Sequence, residues 1–296
     1  MRFREVAFAT LAGLFIGCST SSNEKPTGSE GGPCFANGSC NPGLACLSNL
    51  CVRTNDGATP DTSHSDASPP DSAGPDSKPV CSSLSFDGIG SYVGVPNSAG
   101  LNPGKGDFTV EAWVKAMNND AVLVSKRKGE NYYYIEMNDL NKNSPVHLWF
   151  VTTAGWLVFS ADKQGKADAW THVAAQRHGS AVEMFIDGKQ QQVITIPNKG
   201  STDPADYDVT NDAPLYIGRQ PDGQYLNGEI SELRITNSVV YSSDFTPQET
   251  LSKLADTVAL YHFDEGTGTK LTDSSGNGND GTINGATWST GGPGCP

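Results

Sequence analysis

From Cys81 onward the chain is a succession of short alternating segments, and this alternation limits most what it can fold into. In "DFTVEAWVK", Phe108, Val110, Ala112 and Val114 fall on one face. Thr109, Glu111, Trp113 and Lys115 fall on the other, the period of two that a half-buried strand imposes. The runs "AVLVSK", "YYYIEM", "VHLWFV", "WLVFS", "WTHVAAQ", "VEMFI", "QQVITI", "PLYIG", "GEISELRI" and "VALYHF" follow, divided by turn residues. "MFIDGKQQQVITI" sets Asp187-Gly188 between two such runs, the signature of a type I′ hairpin. One stretch breaks the pattern. "TPQETLSKL" predicts a short helix, with Thr246 as N-cap, Pro247 at N1 and Glu249 closing a capping box. The expectation is an all-β fold, an antiparallel β-sandwich over residues 81–296.

Composition narrows the partners. The formal charge is −13, from 20 Lys+Arg against 33 Asp+Glu, and no basic run offsets it. Nucleic acid is therefore not an expected partner, nor are anionic lipid head groups. Hydrophobic residues make up only 36 %, while 33 Gly and 18 Pro indicate many turns and an unfolded segment.

That segment is 53–80. Asp56, Asp61, Asp66, Asp71 and Asp76 recur every five residues, a period no ordered structure has. The composition is that of a disordered, self-repelling linker. Upstream of it, residues 34–52 carry Cys34, Cys40, Cys46 and Cys51 with too few apolar residues for a core, so this mini-module is expected to need disulfides. Four cysteines allow three pairings; Cys34–Cys46 with Cys40–Cys51 is the one preferred here, because crossed bridges constrain both loops. The module resembles Dickkopf-type cysteine-rich pieces of bacterial surface lipoproteins.

Residues 1–17 read as an export signal, with Arg2 and Arg4 before an apolar run too short to span a bilayer. Gly17-Cys18 ends the run and resembles the lipobox of bacterial lipoproteins, although Phe15 stands where Leu is usual. The resemblance implies acylation of Cys18, a tether over 18–33, and display on the outer membrane or cell surface. Anchoring there is the one membrane contact expected.

Within the sandwich, "LSFDGIGSYVGVP", "FTVEAWVK", "WTHVAA", "VEMFIDGK", "LYIGR" and "LNGEISELRIT" resemble, in that order, the motifs of laminin-G-like, concanavalin A-like jelly-roll domains. The resemblance implies two curved, stacked antiparallel sheets. The expected work is non-catalytic binding of a glycan or a surface protein; a structural envelope component without a discrete ligand, or a glycoside hydrolase on the same fold, is the alternative. Ser231 replaces the family's usual Asp in "G-x-I-D-E-V-R". The phrase "LYHFDEGTGTKLTDSSGNGNDGT", commonly first in such domains, here comes last. It is expected to place the C-terminal strands against one sheet of the same sandwich. A Cys81–Cys295 disulfide is expected to join the two ends.

No residues are assigned to catalysis. Glu229 and Glu232, three apart, are expected on opposite faces of a strand and so cannot flank one glycosidic bond. No histidine shows metalloenzyme spacing, and no G-x-S-x-G is present. Trp156 and Tyr133 are the candidate ligand-binding aromatics. "DSSGNGNDG" supplies Asp273, Asn277, Asn279 and Asp280 as candidate ligands for Ca2+, but Asn284 stands where a calcium loop needs its last carboxylate. A metal-free turn, using Gly and Asn at positions of positive φ, is the alternative.

Overall fold

The computed structural model describes residues 44–47, 50–53, 81–117, 121–137, 146–162 and 168–295. The chain divides into two compact units, residues 1–71 and 72–296. In the first, β1 (Leu44–Leu47) and β2 (Leu50–Arg53) form an antiparallel hairpin that sets Cys46 opposite Cys51. Cys51 is disulfide-bonded. The expectations for the signal, Cys18, Cys34, Cys40 and the linker lie outside the described residues.

The second unit begins with β3 (Ser83–Asp87), β4 (Tyr92–Val95), β5 (Phe108–Ala116), β6 (Ala121–Lys128), β7 (Asn131–Met137) and β8 (Val146–Thr152). Next come β9 (Gly155–Ala161), β10 (Thr171–His178), β11 (Ala181–Ile186), β12 (Lys189–Gln190), β13 (Val193–Asn198) and β14 (Leu215–Ile217). It closes with β15 (Asn227–Thr236), β16 (Thr257–Tyr261), β17 (Lys270–Leu271), β18 (Gly281–Asn284) and β19 (Thr287–Ser289). They form two antiparallel sheets. One has eight strands in the order β12-β11-β10-β5-β15-β3-β19, with β16 also paired to β15. The other has nine, β13-β9-β8-β7-β6-β14-β4-β18-β17.

The alternation in β5 holds. Phe108, Val110, Ala112 and Val114 point into the core against Tyr133, Ile135, Leu148, Phe150, Leu157 and Phe159 of the facing sheet. Phe108 lies 5.5 Å from the Tyr133 ring and 6.0 Å from that of Phe150. Burying such rings supplies most of the driving force for stacking the sheets. The Asp187-Gly188 turn has φ of 49° and 72°, as a type I′ hairpin requires. Its second strand is short, and the chain then crosses to pair β13 with β9 in the other sheet.

The C-terminal strands complete the same sandwich, but they divide between the sheets instead of joining one. β16 and β19 enter the eight-stranded sheet, while β17 and β18 enter the nine-stranded one. Cys81 and Cys295, 5.7 Å apart at Cα, are joined by a disulfide.

The expected helix at "TPQETLSKL" does not form; these residues lie in an irregular segment strapped over the outer face of the eight-stranded sheet. The sheet takes up the backbone groups a helix would need. Gln248 O accepts from the Trp113 indole, Leu251 N donates to Glu232, and Ser252 O accepts from Arg234. Tertiary hydrogen bonds here override a local capping signal worth about 1 kcal/mol.

A second correction concerns Glu229 and Glu232. The register between β15 and β5 shifts between Ile230 and Glu232. Ser231 is the extra residue of this bulge, so Ile230 and Leu233 both reach the core. Glu229 and Glu232 therefore share the outer face, one residue out of phase with simple alternation.

Candidate functional site

The two outer faces of the sandwich differ. On the eight-stranded sheet, the segment 237–256 covers a polar network centred on Glu111, which is fully buried. Glu111 Oε1 accepts from Arg234 Nε at 2.8 Å and Nη2 at 2.5 Å. Its Oε2 accepts from the Tyr241 hydroxyl at 2.5 Å and lies 3.2 Å from His172 Nε2. Burial alone would push this carboxyl up, but the His172 hydrogen bond, the Arg234 charge and Tyr241 outweigh it and hold it below its usual range. Tyr241 and Phe245 stack with ring centroids 3.6 Å apart over this face. Glu232 pairs with His262 at 2.9 Å, and the cavity beside it, about 20 Å³, has room for roughly one water. The two carboxylates thus share a face without an open cleft between them.

On the nine-stranded sheet the turn 219–225 lies over the outer face at β6, where Arg219 O accepts from the outward, fully buried Ser125 at 2.7 Å. Alternation in β7 sends Tyr133 and Ile135 inward and Tyr132, Tyr134 and Glu136 outward. In β8 the outward residues are His147, Trp149 and Val151; in β9 they are Trp156, Val158 and Ser160, which register pairs with β8. The rings form a continuous row. Tyr132 and Tyr134 are 5.8 Å apart, Tyr134 and Trp149 are 5.3 Å apart and nearly parallel at 9°, and Trp149 and Trp156 are 5.5 Å apart. Glu136 fixes the row by accepting the Trp149 indole N–H at 2.8 Å. Burial pushes the Tyr134 phenol up, with the Glu136 charge adding to it, so the hydroxyl stays protonated as a hydrogen-bonding group. Arg127 caps the end of the row, 4.2 Å over the Tyr132 ring and bonded to Asp222 and Gln220.

Beyond the turn that covers β6, the outer side of β14 and β4 carries further aromatics. Register sets Trp149 opposite Tyr134, Tyr134 opposite Ser125, Ser125 opposite Tyr216, and Tyr216 opposite Gly94. Tyr92 meets Tyr216 edge-on at 5.6 Å, and Arg219 lies against both rings. With neighbouring strands about 4.8 Å apart, the aromatic face spans on the order of 24 Å from β9 to β4. Tyr132, Trp149, Trp156, Tyr92 and Tyr216 are half-buried, while Tyr134 within the row is buried. At the β13 end, Ile194 and Ile196 are 55 % and 42 % exposed on the same face.

Of the aromatics singled out in the sequence, Trp156 sits in this row. Tyr133 does not: it is fully buried in the core, because its neighbours on either side take the outer face. Trp149, Tyr92, Tyr216 and Arg219 were not singled out. The alternation of "VHLWFV" separates His147, Trp149 and Val151 from Val146, Leu148 and Phe150, and this was the available signal for Trp149.

The Asp273 loop is an internally bonded connector. Asp273 Oδ1 accepts from Leu260 N and Ser275 N, and Oδ2 from Ser275 Oγ and Asn279 N. Asn277 and Asn279 turn their amide nitrogens to the carbonyls of β16, and Asp280 pairs with Lys270 at 2.8 Å. These bonds occupy the Asp273 carboxylate, both asparagine amide nitrogens and Asp280 within the connector itself. A wider groove of about 580 Å³ beside the disulfide bears a single indole, that of Trp288, whose N–H is taken by Gly268 O.

Residues 87–244 match the laminin G type of the concanavalin A-like lectin/glucanases superfamily. This is more than half of the chain, and the protein belongs to that superfamily. No curated protein matches the chain. Among solved structures it is similar to a Bacteroides ovatus ATCC 8483 protein provisionally described as carbohydrate binding, with 18 % identity and a TM-score of 0.51. That match covers 72 % of this chain and 61 % of the other, so the chain spans less than two thirds of it. The SAP-like pentraxin of Limulus polyphemus scores 0.43 at 12 % identity, covering 56 % of this chain and 80 % of that one. Domains LG4-5 of the mouse laminin alpha1 chain score 0.40 at 15 %, covering 56 % and 44 %. At such identities the likeness is one of fold.

Proposed function

We propose that the protein is a non-catalytic carbohydrate-binding protein whose ligand lies along the outer face of the nine-stranded sheet. The aromatic row Tyr132–Tyr134–Trp149–Trp156 carries this reading. Sugar rings present flat C–H faces, and preformed aromatic rings offer matching apolar area at little cost in side-chain entropy. Polar groups on the same face, among them the exposed Asp222 carboxylate and the partly exposed His147, suit the hydroxyls along the ring edges. A superfamily that includes lectins, and the carbohydrate-binding description of the Bacteroides protein, support the same class of ligand.

The exposed Ile194 and Ile196 favour a second reading, a surface-protein partner on this face. In either case we propose export and anchoring through lipid on Cys18, with the sandwich displayed outward. A detergent-extracted protein whose N-terminal peptide begins elsewhere and lacks acyl chains would contradict the anchor.

The test is a glycan panel probed with the full-length protein, with and without EDTA. Binding to at least one glycan class is expected, unchanged by the chelator because the Asp273 carboxylate is already saturated with donors. Binding to no glycan would reject the reading. Loss with EDTA would place a cation in the site.

A further inference from the structure

We infer that the glycan carries an anionic group, a carboxylate or a sulfate ester, and that Arg219 is the residue that anchors it. The inference rests on the carbohydrate reading above.

The sandwich holds four arginines, Arg127, Arg177, Arg219 and Arg234. Three of them are engaged. Arg127 pairs with Asp222, Arg234 with Glu111, and Arg177 donates to the carbonyls of Gly104, Gly106, Pro204 and Tyr207. Among the described residues, the Arg219 guanidinium has no carboxylate partner and donates no hydrogen bond; its Nε is buried with nothing to bond to. This is unusual in a chain with 33 acidic residues against 20 basic ones, where Lys115, Lys128, Lys189 and Lys270 all have carboxylates.

What holds Arg219 is aromatic. Its guanidinium carbon lies 4.3 Å from the centre of the Tyr92 ring, 4.5 Å from Tyr216 and 5.8 Å from Tyr225. Ring faces attract a cation and fix its plane, but they do not satisfy its N–H donors. A half-buried guanidinium held in this way is ready for a forked, charge-assisted bond to an oxyanion. The location fits a glycan. Tyr216 stands in register with Ser125, Tyr134 and Trp149, so Arg219 lies on the order of 10–15 Å along the face from the aromatic row. A short oligosaccharide spans that distance. Gly94, opposite Tyr216, lies under the Tyr92 and Tyr216 rings, which a Cβ there would meet at 3.7 and 3.8 Å. The net charge of −13 disfavours a dense polyanion, so the recognised group is a single charge on an otherwise neutral chain.

The experiment uses the full-length protein and oligosaccharides in matched sets, each neutral sugar beside its uronic acid and its 6-sulfate. At least tenfold tighter binding of an acidic member over its neutral counterpart is expected, with the advantage shrinking as salt is raised. A carboxylate preference without a sulfate preference identifies a uronic acid type, and the converse a sulfate ester. Arg219→Met is expected to remove the preference while leaving neutral binding within about twofold. Arg219→Lys keeps charge without the fork and should recover only part of it, and it serves as the control if the Met variant melts early. Neutral members binding as tightly as acidic ones, or a preference that survives Arg219→Met, would overturn the inference while leaving the carbohydrate reading intact. Binding of no member of any set would overturn both.

Discussion

Glu111→Gln lowers the unfolding free energy by about 3–5 kcal/mol, because it leaves a buried arginine without its counter-charge. Arg234 has a side chain only 3 % exposed, and both of its bonds to Glu111 run to Oε1. Glutamine preserves the shape but cannot neutralise the guanidinium. It also weakens the acceptor for Tyr241, whose hydroxyl ties the segment 237–256 to the sheet. For a domain of this size the loss corresponds to a melting-temperature drop on the order of 10 °C. Adding Arg234→Met should recover part of the loss, since removing both charges costs less than stranding one. Urea unfolding of the three variants checks this. A loss under about 1 kcal/mol would mean that water reaches the network. The same carboxyl sets an acid limit. Its folded pKa lies below the unfolded value, so the unfolded chain takes up the proton first. Its contribution is fully present above the ordinary carboxylate range, near 4.5, and fades as pH falls below it. The Gln variant should therefore show a shallower loss of stability with acid.

Removing the Cys81–Cys295 bridge is the second large effect. The two residues are 214 apart in sequence, so the bridge closes nearly the whole sandwich into one loop. In the chain-entropy account a loop of that length contributes about 5 kcal/mol. Cys81 precedes β3 and Cys295 follows β19, which pair with each other, so the bridge joins the ends of neighbouring strands. A double Cys81→Ser, Cys295→Ser variant is expected to melt well below the oxidised protein and to match the wild type under reducing conditions. Equal stability of the oxidised wild type and the double variant would show that pairing of β3 with β19 suffices.

The strands were legible because burial on one face writes itself into alternation: Phe108, Val110, Ala112 and Val114 needed no other information. What alternation cannot report is a break in its own phase. Nothing local marks Ser231 as a bulge, since it depends on how β15 meets β5, and a one-residue slip moved Glu232 to the other face. The "TPQETLSKL" helix failed for a related reason. Its capping signal is local, whereas the groups that captured its backbone, Arg234, Glu232 and Trp113, stand 18, 19 and 135 residues from the atoms they bond. The candidate site was only partly readable. Three consecutive tyrosines guarantee that some ring faces outward, but which one depends on register, and Tyr133 proved to be the inward one. Arg219 carried no sequence signal, because Tyr92, Tyr216 and Tyr225 come together around it only in the folded sheet.

The most direct test of the central claim is to titrate the best glycan of the panel into the wild type and into Trp149→Ala side by side. Trp149 lies between Tyr134 and Trp156, so its loss interrupts the row at its centre while the inward-facing core of β8 is untouched. The account predicts binding weakened by at least tenfold, the scale of a central aromatic anchor, with the fold retained by circular dichroism. Unchanged affinity in a folded Trp149→Ala protein would contradict it, and would place any glycan away from this face.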